Sequence, residues 1–449
     1  MGTFAATPAI VAPERGYPSL YRPRNPRASP LFLLVEARYE ELKALWEDRF
    51  EKTHGFWRGF TDTAVARYLD CASPECGFAR LRCDSCHSEK LLAFSCRQRG
   101  ICPSCDAKRA AAFAAFLNDE VLEDVPHAMW VFTIPKMLRV YFLHHRELLG
   151  ELSRCAYETL NELMAAAAFE EEGFRPGMVS VVQTFGDAAR FHPHVHAICS
   201  RGGWNARGEW LPVPYLDHRM AEELFRHRVL RLLQNEGLLS EERSRLLLSW
   251  DRSGFSIDDS VRIPAGERKT LEQVARYMLR APVSLSRMQW NPANPQVLYA
   301  AKGVHDHEPD KLPPHEQSID ALEFLARVIT QIPEPKRHLV FYCGHYCNLL
   351  RGRRRKAQLA GSSDTSHTLA KDDEKPPSSA QRQALRRRWR DLIRRVFELD
   401  PLLCPCGGEF KVVAFITEPR VIQRILQHLT RREHQGRAPP SAPGPSISA

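Results

Sequence analysis

The sequence lacks any run approaching the ~18 uncharged apolar residues of a membrane helix, so no membrane span is expected. Its first residues, Met1-Gly2-Thr3-Phe4-Ala5-Ala6, lack the basic-then-apolar layout of a signal peptide, and the expected compartment is the cytoplasm. A large excess of one charge is also missing. The 449 residues carry 63 Lys+Arg against 54 Asp+Glu, a formal net charge of +9. The excess is concentrated, however. Arg351-Gly352-Arg353-Arg354-Arg355-Lys356 and Arg386-Arg387-Arg388-Trp389-Arg390 are dense basic clusters, and such clusters point to a polyanionic partner. A hydrophobic content of 43% supports real cores, and the length allows two or three domains.

Cysteine is plentiful and clustered. Six of the 13 cysteines fall between Cys76 and Cys105, with Cys71 just before them. In a reducing compartment this clustering points to metal rather than to disulfides. Cys83-Asp84-Ser85-Cys86 and Cys102-Pro103-Ser104-Cys105 are two C-x-x-C knuckles separated by fifteen residues, the spacing of a four-thiolate structural zinc site. Cys71, Cys76, Cys96 and His87 remain; they form either a second zinc site or, for the cysteines, buried small hydrophobes. Arg97, Arg99, Lys108 and Arg109 interleave with the second knuckle, as phosphate contacts would. Near the other end, Cys404-Pro405-Cys406-Gly407-Gly408 has one residue between its cysteines and no further ligands nearby. No independent zinc site is expected there.

Residues 1–30 read as a flexible Pro/Arg-rich arm, and Leu31 to Phe50 as a helix ahead of the cysteine segment, so 31–110 is expected to be a helix plus a zinc-binding domain. From 111 to 300 helical stretches alternate with apolar strands at 127–134 and 179–185. The second is followed by a turn and by Phe191-His192-Pro193-His194-Val195-His196-Ala197-Ile198-Cys199. On a strand, His194 and His196 project from one face with Val195 buried behind them, which is half of a metal site. A hairpin would bring Gln183 or Asp187 beside the histidines as a third ligand. An oxygen donor with two imidazoles suits a catalytic magnesium or manganese ion. Leu271 to Arg280 reads as a helix ended by Pro282, with Arg276 and Arg280 one turn apart. Tyr277 on this helix is a candidate nucleophile toward phosphorus.

Residues 301–360 are expected to form a helical basic DNA-binding extension through Arg353, Arg354, Arg355 and Lys356. Tyr342 and Tyr346 are read as DNA contacts or packing, and Cys343 and Cys347 as inert. A disordered linker at 361–380, a C-terminal helical and cysteine-bearing segment at 381–435 and a disordered tail at 436–449 complete the chain.

Together these pieces resemble the rolling-circle transposases of the IS ninety-one insertion-sequence family, within the HUH endonucleases. His194-Val195-His196 matches the motif that gives the group its name. The segment from Cys83 through Cys105 looks like that family's zinc-binding domain. Phe132-Thr133-Ile134-Pro135 resembles its first catalytic strand, and Ala275-Arg276-Tyr277-Met278-Leu279-Arg280 its nucleophile helix. The upstream position that carries a second tyrosine in many members is Gln273 here, so the chain is similar to a single-tyrosine branch, and Gln273 becomes another candidate metal ligand. The resemblance implies an α+β fold, with an HUH-type antiparallel sheet flanked by helices, preceded by the small zinc-binding domain and followed by the helical basic region. It also implies nicking and rejoining of single-stranded DNA through a 5′-phosphotyrosine at Tyr277. The expected partners are the single-stranded ends of its element, target DNA and the host replication machinery of a bacterial cell.

Overall fold

The computed structural model describes residues 25–213, 215–250, 253–300, 316–361 and 402–434. The expected arm as far as residue 24, the linker from residue 362, the basic stretch at 385–399 and the tail lie outside them. In chain order the described α-helices are α1 (Pro30–Ala44), α2 (Glu51–His54), α3 (Phe60–Leu69), α4 (Pro103–Phe116), α5 (Arg139–His144), α6 (Leu148–Ala167), α7 (His218–Asn235), α8 (Glu241–Leu248), α9 (Arg268–Met278), α10 (Ala321–Thr330), α11 (Asn348–Gly361) and α12 (Pro419–His434). The strands are β1 (Phe78–Cys83), β2 (Glu89–Ala93), β3 (His127–Thr133), β4 (Arg175–Phe185), β5 (Phe191–Trp204), β6 (Trp210–Pro212), β7 (Ser256–Ile263), β8 (Met288–Gln289), β9 (Gln296–Ala300), β10 (Glu316–Asp320), β11 (Val340–Gly344) and β12 (Phe410–Ile416).

The chain divides into two compact units. In the larger, residues 25–72 and 95–373, the central sheet runs β11-β4-β5-β3-β7 with every pairing antiparallel; β6 pairs with the end of β5. The expected hairpin of β4 and β5 is present, closed by the turn Asp187–Ala189. Strand alternation sorts the two faces. Val195, Ala197 and Cys199 share a core with Trp130 and Phe132 of β3 and with the apolar sides of α6 and α7. Ile198, Val179 and Val181 face the other way, into a core with Phe113 and Leu117 beside α4 and with Leu271, Ala275 and Met278 of α9. The buried positions of α9 fall at steps of four and three, one stripe of a helix. A third core gathers α1, α3 and α10 with Val297 and Tyr299 of the small sheet β10-β9-β8.

The smaller unit contains, among the described residues, 73–94 and 402–434. Its sheet runs β12-β1-β2, with Cys83 opposite Phe410 in register. Contiguous segments at 31–110 and 381–435 were expected. Instead the β1–β2 hairpin takes its third strand from the C-terminal segment, because a lone hairpin is marginal in water and gains most from an added strand. Within the extension expected to be helical, Val340–Gly344 forms the strand β11. Tyr342 packs edge-on to Phe116. Tyr346 is fully buried and its hydroxyl lies 2.8 Å from His127 Nε2. Gly177 permits this, since a Cβ there would fall 2.6 Å from the Tyr346 ring. Tyr346 therefore packs, and is not available to DNA.

Candidate active site and cysteine clusters

His194 lies directly across from Gln183 on β4, and His196 across from Val181, so both histidines face α9 rather than the core behind Val195. Burial holds the His194 imidazole down at about pKa 4, so it is neutral near pH 7. Its Nδ1 lies 2.7 Å from the His192 carbonyl oxygen, which can only accept, so Nδ1 carries the proton and Nε2 presents its lone pair. That Nε2 sits 3.0 Å from Nε2 of His196. Two imidazole nitrogens on neighbouring positions of one octahedral ion, each about 2.1 Å away, stand about 3.0 Å apart. The pair thus fits a shared divalent ion.

Tyr277, half-buried on the last turn of α9, sets its ring edge-on to His196 at 5.4 Å between centroids. The Arg280 guanidinium lies over the same tyrosine ring at 4.6 Å, and over Phe185 at 5.4 Å. Gln183 ties these parts together. Its Nε2 donates to the carbonyls of Tyr277 (3.2 Å) and Met278 (2.8 Å), while its buried Oε1 has no partner among the described residues. An orphaned acceptor beside the two imidazoles fits the third ligand of a hard cation. The alternatives fit less well. Asp187 is ion-paired to Arg287 at 2.5 Å in the hairpin turn, and Gln273 is exposed on α9. Arg276 is ion-paired to Glu272 at 2.8 Å along its own helix. On α11, Arg353, Arg355 and Lys356 are exposed, whereas Arg354 caps the His345 carbonyl at 2.9 Å.

The cysteines group differently from the spacing argument. Cys102 and Cys105 join Cys71 and Cys96, while Cys83 and Cys86 join Cys404 and Cys406; within each quartet the sulfurs lie within 4.8 Å of one another. The expectation of one ion on Cys83, Cys86, Cys102 and Cys105 is corrected accordingly; Cys404 and Cys406, expected to form no independent zinc site, instead complete the quartet of Cys83 and Cys86. Cys76 is exposed before β1, His87 sits in the β1–β2 turn at positive φ, and neither belongs to a quartet. The reason is the β1–β12 register. It sets the Cys83–Cys86 turn, closed by His87 N–H to the Cys83 carbonyl, against a second turn closed by Gly407 N–H to the Cys404 carbonyl. Gly408 lets them meet, because a Cβ there would lie 2.9 Å from Cys83 Sγ. Four thiolates at about 2.3 Å from a tetrahedral zinc stand about 3.8 Å apart. The measured separations are 3.8 Å for Cys71–Cys102, 3.5 Å for Cys96–Cys105, and 3.6 Å for both Cys83–Cys406 and Cys86–Cys404. A disulfide would need about 2.05 Å. Hydrogen bonds among the sulfurs divide each quartet: the Ser88 hydroxyl helps bring Cys86 down to about pKa 6 and the bond with Cys102 holds Cys105 far below the ordinary thiol range, while Cys406, Cys96 and Cys102 are pushed up.

Residues 177–355 match a family model described as "Putative transposase", and residues 42–134 match the transposase zinc-binding domain of the IS91 type. The chain is 27% identical over 358 residues to the transposase for insertion sequence element IS801 of Pseudomonas savastanoi pv. phaseolicola, covering 73% of this chain and 82% of that one. It is 25% identical over 300 residues to "Putative transposase y4qJ" of Sinorhizobium fredii, covering 63% of this chain and 72% of that one. No solved structure matches the chain.

Proposed function

Because the chain belongs to the IS91-type transposases, with their zinc-binding domain ahead of the transposase domain, we propose that it nicks and rejoins single-stranded DNA at the ends of its element through a covalent bond to Tyr277. The observation that carries this reading is the Tyr277 ring standing 5.4 Å from that of His196, whose Nε2 meets that of His194 at 3.0 Å. The phenolate oxygen of Tyr277 attacks a phosphodiester, a phosphorus–oxygen bond forms to the tyrosine, and the bond to the 3′ oxygen breaks. The 5′ phosphate stays on the protein. The 3′ oxygen leaves, takes up a proton and can prime host replication. Attack by a 3′-hydroxyl of target DNA reverses the step and frees the tyrosine.

His194, His196 and Gln183 Oε1 would hold a magnesium or manganese ion, which supplies charge neutralisation at the scissile phosphate. Gln183 also fixes the end of α9, keeping Tyr277 in line with that phosphate. Cys71, Cys96, Cys102 and Cys105 would hold one structural zinc, and Cys83, Cys86, Cys404 and Cys406 a second. Arg353, Arg355 and Lys356 would track the DNA backbone. Such a protein works on chromosomal and element DNA in the bacterial cytoplasm.

A covalent-adduct gel tests the chemistry. Protein is mixed with labelled single-stranded DNA carrying the element's end and with manganese, then denatured. Wild type should give a shifted protein–DNA band, absent from Tyr277→Phe and from the chain with His194→Ala and His196→Ala. A band that persists in Tyr277→Phe would transfer the chemistry to another residue. Binding without a band on any suitable strand would leave a zinc-dependent DNA-binding protein in place of an enzyme.

A further inference from the structure

Beyond the end of β11, along the last residues of β4, the larger unit encloses a cavity of about 470 Å³. That size falls in the ~300–1,000 Å³ range of ligand pockets. Gln183, Phe185 and Phe341 line it, as do Met278, Leu279 and Arg280, the three residues after the proposed nucleophile. Cationic side chains outnumber acidic ones six to four in the wall. Most of the cations already have partners: Arg109 pairs with Asp106, Arg337 with Glu334, and Arg99 donates to the carbonyls of Glu334 and Arg337.

Two arginines have unmet donors. Arg146, on the turn before α6, is only 9% exposed; its guanidinium lies 5.2 Å from the Phe191 ring centroid, and its buried Nη2 has no hydrogen-bond partner among the described residues. Arg280 likewise has a buried Nε without a partner. Leaving a buried guanidinium N–H unsatisfied is costly, and the Glu334 carboxylate that acts on Arg146 is already paired with Arg337. Burial pulls the Arg146 guanidinium down to about pKa 9, so it remains charged near pH 7. A charged fork, a second donor and two phenyl rings around one cavity match a phosphate with its attached base.

We propose that this cavity seats one nucleotide of the single-stranded DNA next to the cut, its phosphate on Arg146 and Arg280 and its base against Phe185 and Phe341. The proposal rests on the single-strand reading above, and assigns Arg146 as a binding residue that the sequence pattern does not mark. An ordered DNA strand would then enter along β4 and pass the histidine pair beside Gln183.

The test is a binding measurement in the full zinc-loaded chain carrying Tyr277→Phe, so that no cleavage intervenes. A labelled single-stranded oligonucleotide of the element's end is titrated by fluorescence anisotropy against this protein and against the same protein with Arg146→Met or Arg146→Lys. Thermal unfolding is recorded for each. Arg146→Met should weaken binding about tenfold or more. It should also lessen the slope of log affinity against log salt by about 0.7, one single-strand phosphate. Its melting temperature should hold or rise, because a buried guanidinium N–H without a hydrogen-bond partner has gone. Arg146→Lys should keep the charge but lose most of the affinity with the fork. Placing an abasic nucleotide at each position in turn should find one position near the cut at which binding drops. Unchanged affinity in Arg146→Met overturns the proposal while leaving the nuclease reading intact. So does a loss of affinity that tracks a fall in melting temperature in both variants. Failure of the wild-type chain to form an adduct in the gel assay above, with this titration behaving as expected, would instead strike the nuclease chemistry alone.

Discussion

At the scale of single residues, two buried side chains carry distinct consequences. His127 is 1% exposed and hydrogen-bonded to Tyr346, and burial lowers its pKa to about 4 from 6.5. A histidine whose folded pKa is depressed contributes stability that is complete above about pH 6.5 and is lost as pH falls toward 4, because the unfolded chain binds the proton first. By pH 5 the loss is about 2 kcal/mol. The drop in melting temperature between pH 7 and pH 5 should therefore be smaller in His127→Gln than in wild type. Gln183 is the second case. Replacing it with leucine leaves the Tyr277 and Met278 carbonyls without its donor and removes an oxygen from beside His194. Gln183→Leu should cut adduct formation at least about tenfold and move the manganese midpoint to higher concentration, with stability lowered by about 1–3 kcal/mol. A manganese titration of adduct yield distinguishes this from unfolding: a purely structural role would leave the midpoint in place. The histidine pair was legible in the sequence because strand alternation alone puts His194 and His196 on one face. Gln183 was one of several candidates there, since nothing local distinguishes it from Asp187 until Arg287 is seen holding the latter.

At the scale of elements, α9 is held by one stripe: Leu271, Ala275 and Met278 pack against α4 and β4, while Tyr277 stays at the edge. The position of the tyrosine depends on that stripe. Met278→Ala should open a cavity costing about 2–5 kcal/mol. If α9 shifts as the stripe relaxes, adduct yield should fall by more than DNA affinity, which a gel and an anisotropy titration read side by side. Equal losses would show that the helix serves binding and not alignment. Helix and strand periodicity exposed most of these elements, including the Leu271–Arg280 helix and the hairpin of β4 and β5. The extension over 301–360 was expected to be helical, whereas Val340–Gly344 extends the sheet beside β4.

At the scale of the whole molecule, the cysteine pairing gives the clearest prediction. Metal analysis of the purified protein should find two zinc ions per chain. The double change Cys404→Ser and Cys406→Ser should reduce this to one, as should Cys102→Ser with Cys105→Ser. If a single ion sat on Cys83, Cys86, Cys102 and Cys105, the C-terminal change would leave the metal content untouched.

The C-x-x-C knuckles, the paired histidines and the helix carrying Tyr277 were legible in the sequence alone, because each is defined by residues a few positions apart on one element. So were the clustered positive charges and the family the chain resembles. Which cysteines share an ion was decided only in three dimensions. Antiparallel pairing of β1 with β12 brings Cys404 and Cys406 to Cys83 and Cys86 across more than 300 residues of chain. The buried Arg146 is of the same kind: an arginine on a turn is unremarkable until the packing around it removes water and leaves its nitrogen without a partner. Spacing along the chain controls local geometry, but desolvation and long-range register depend on what the rest of the chain encloses.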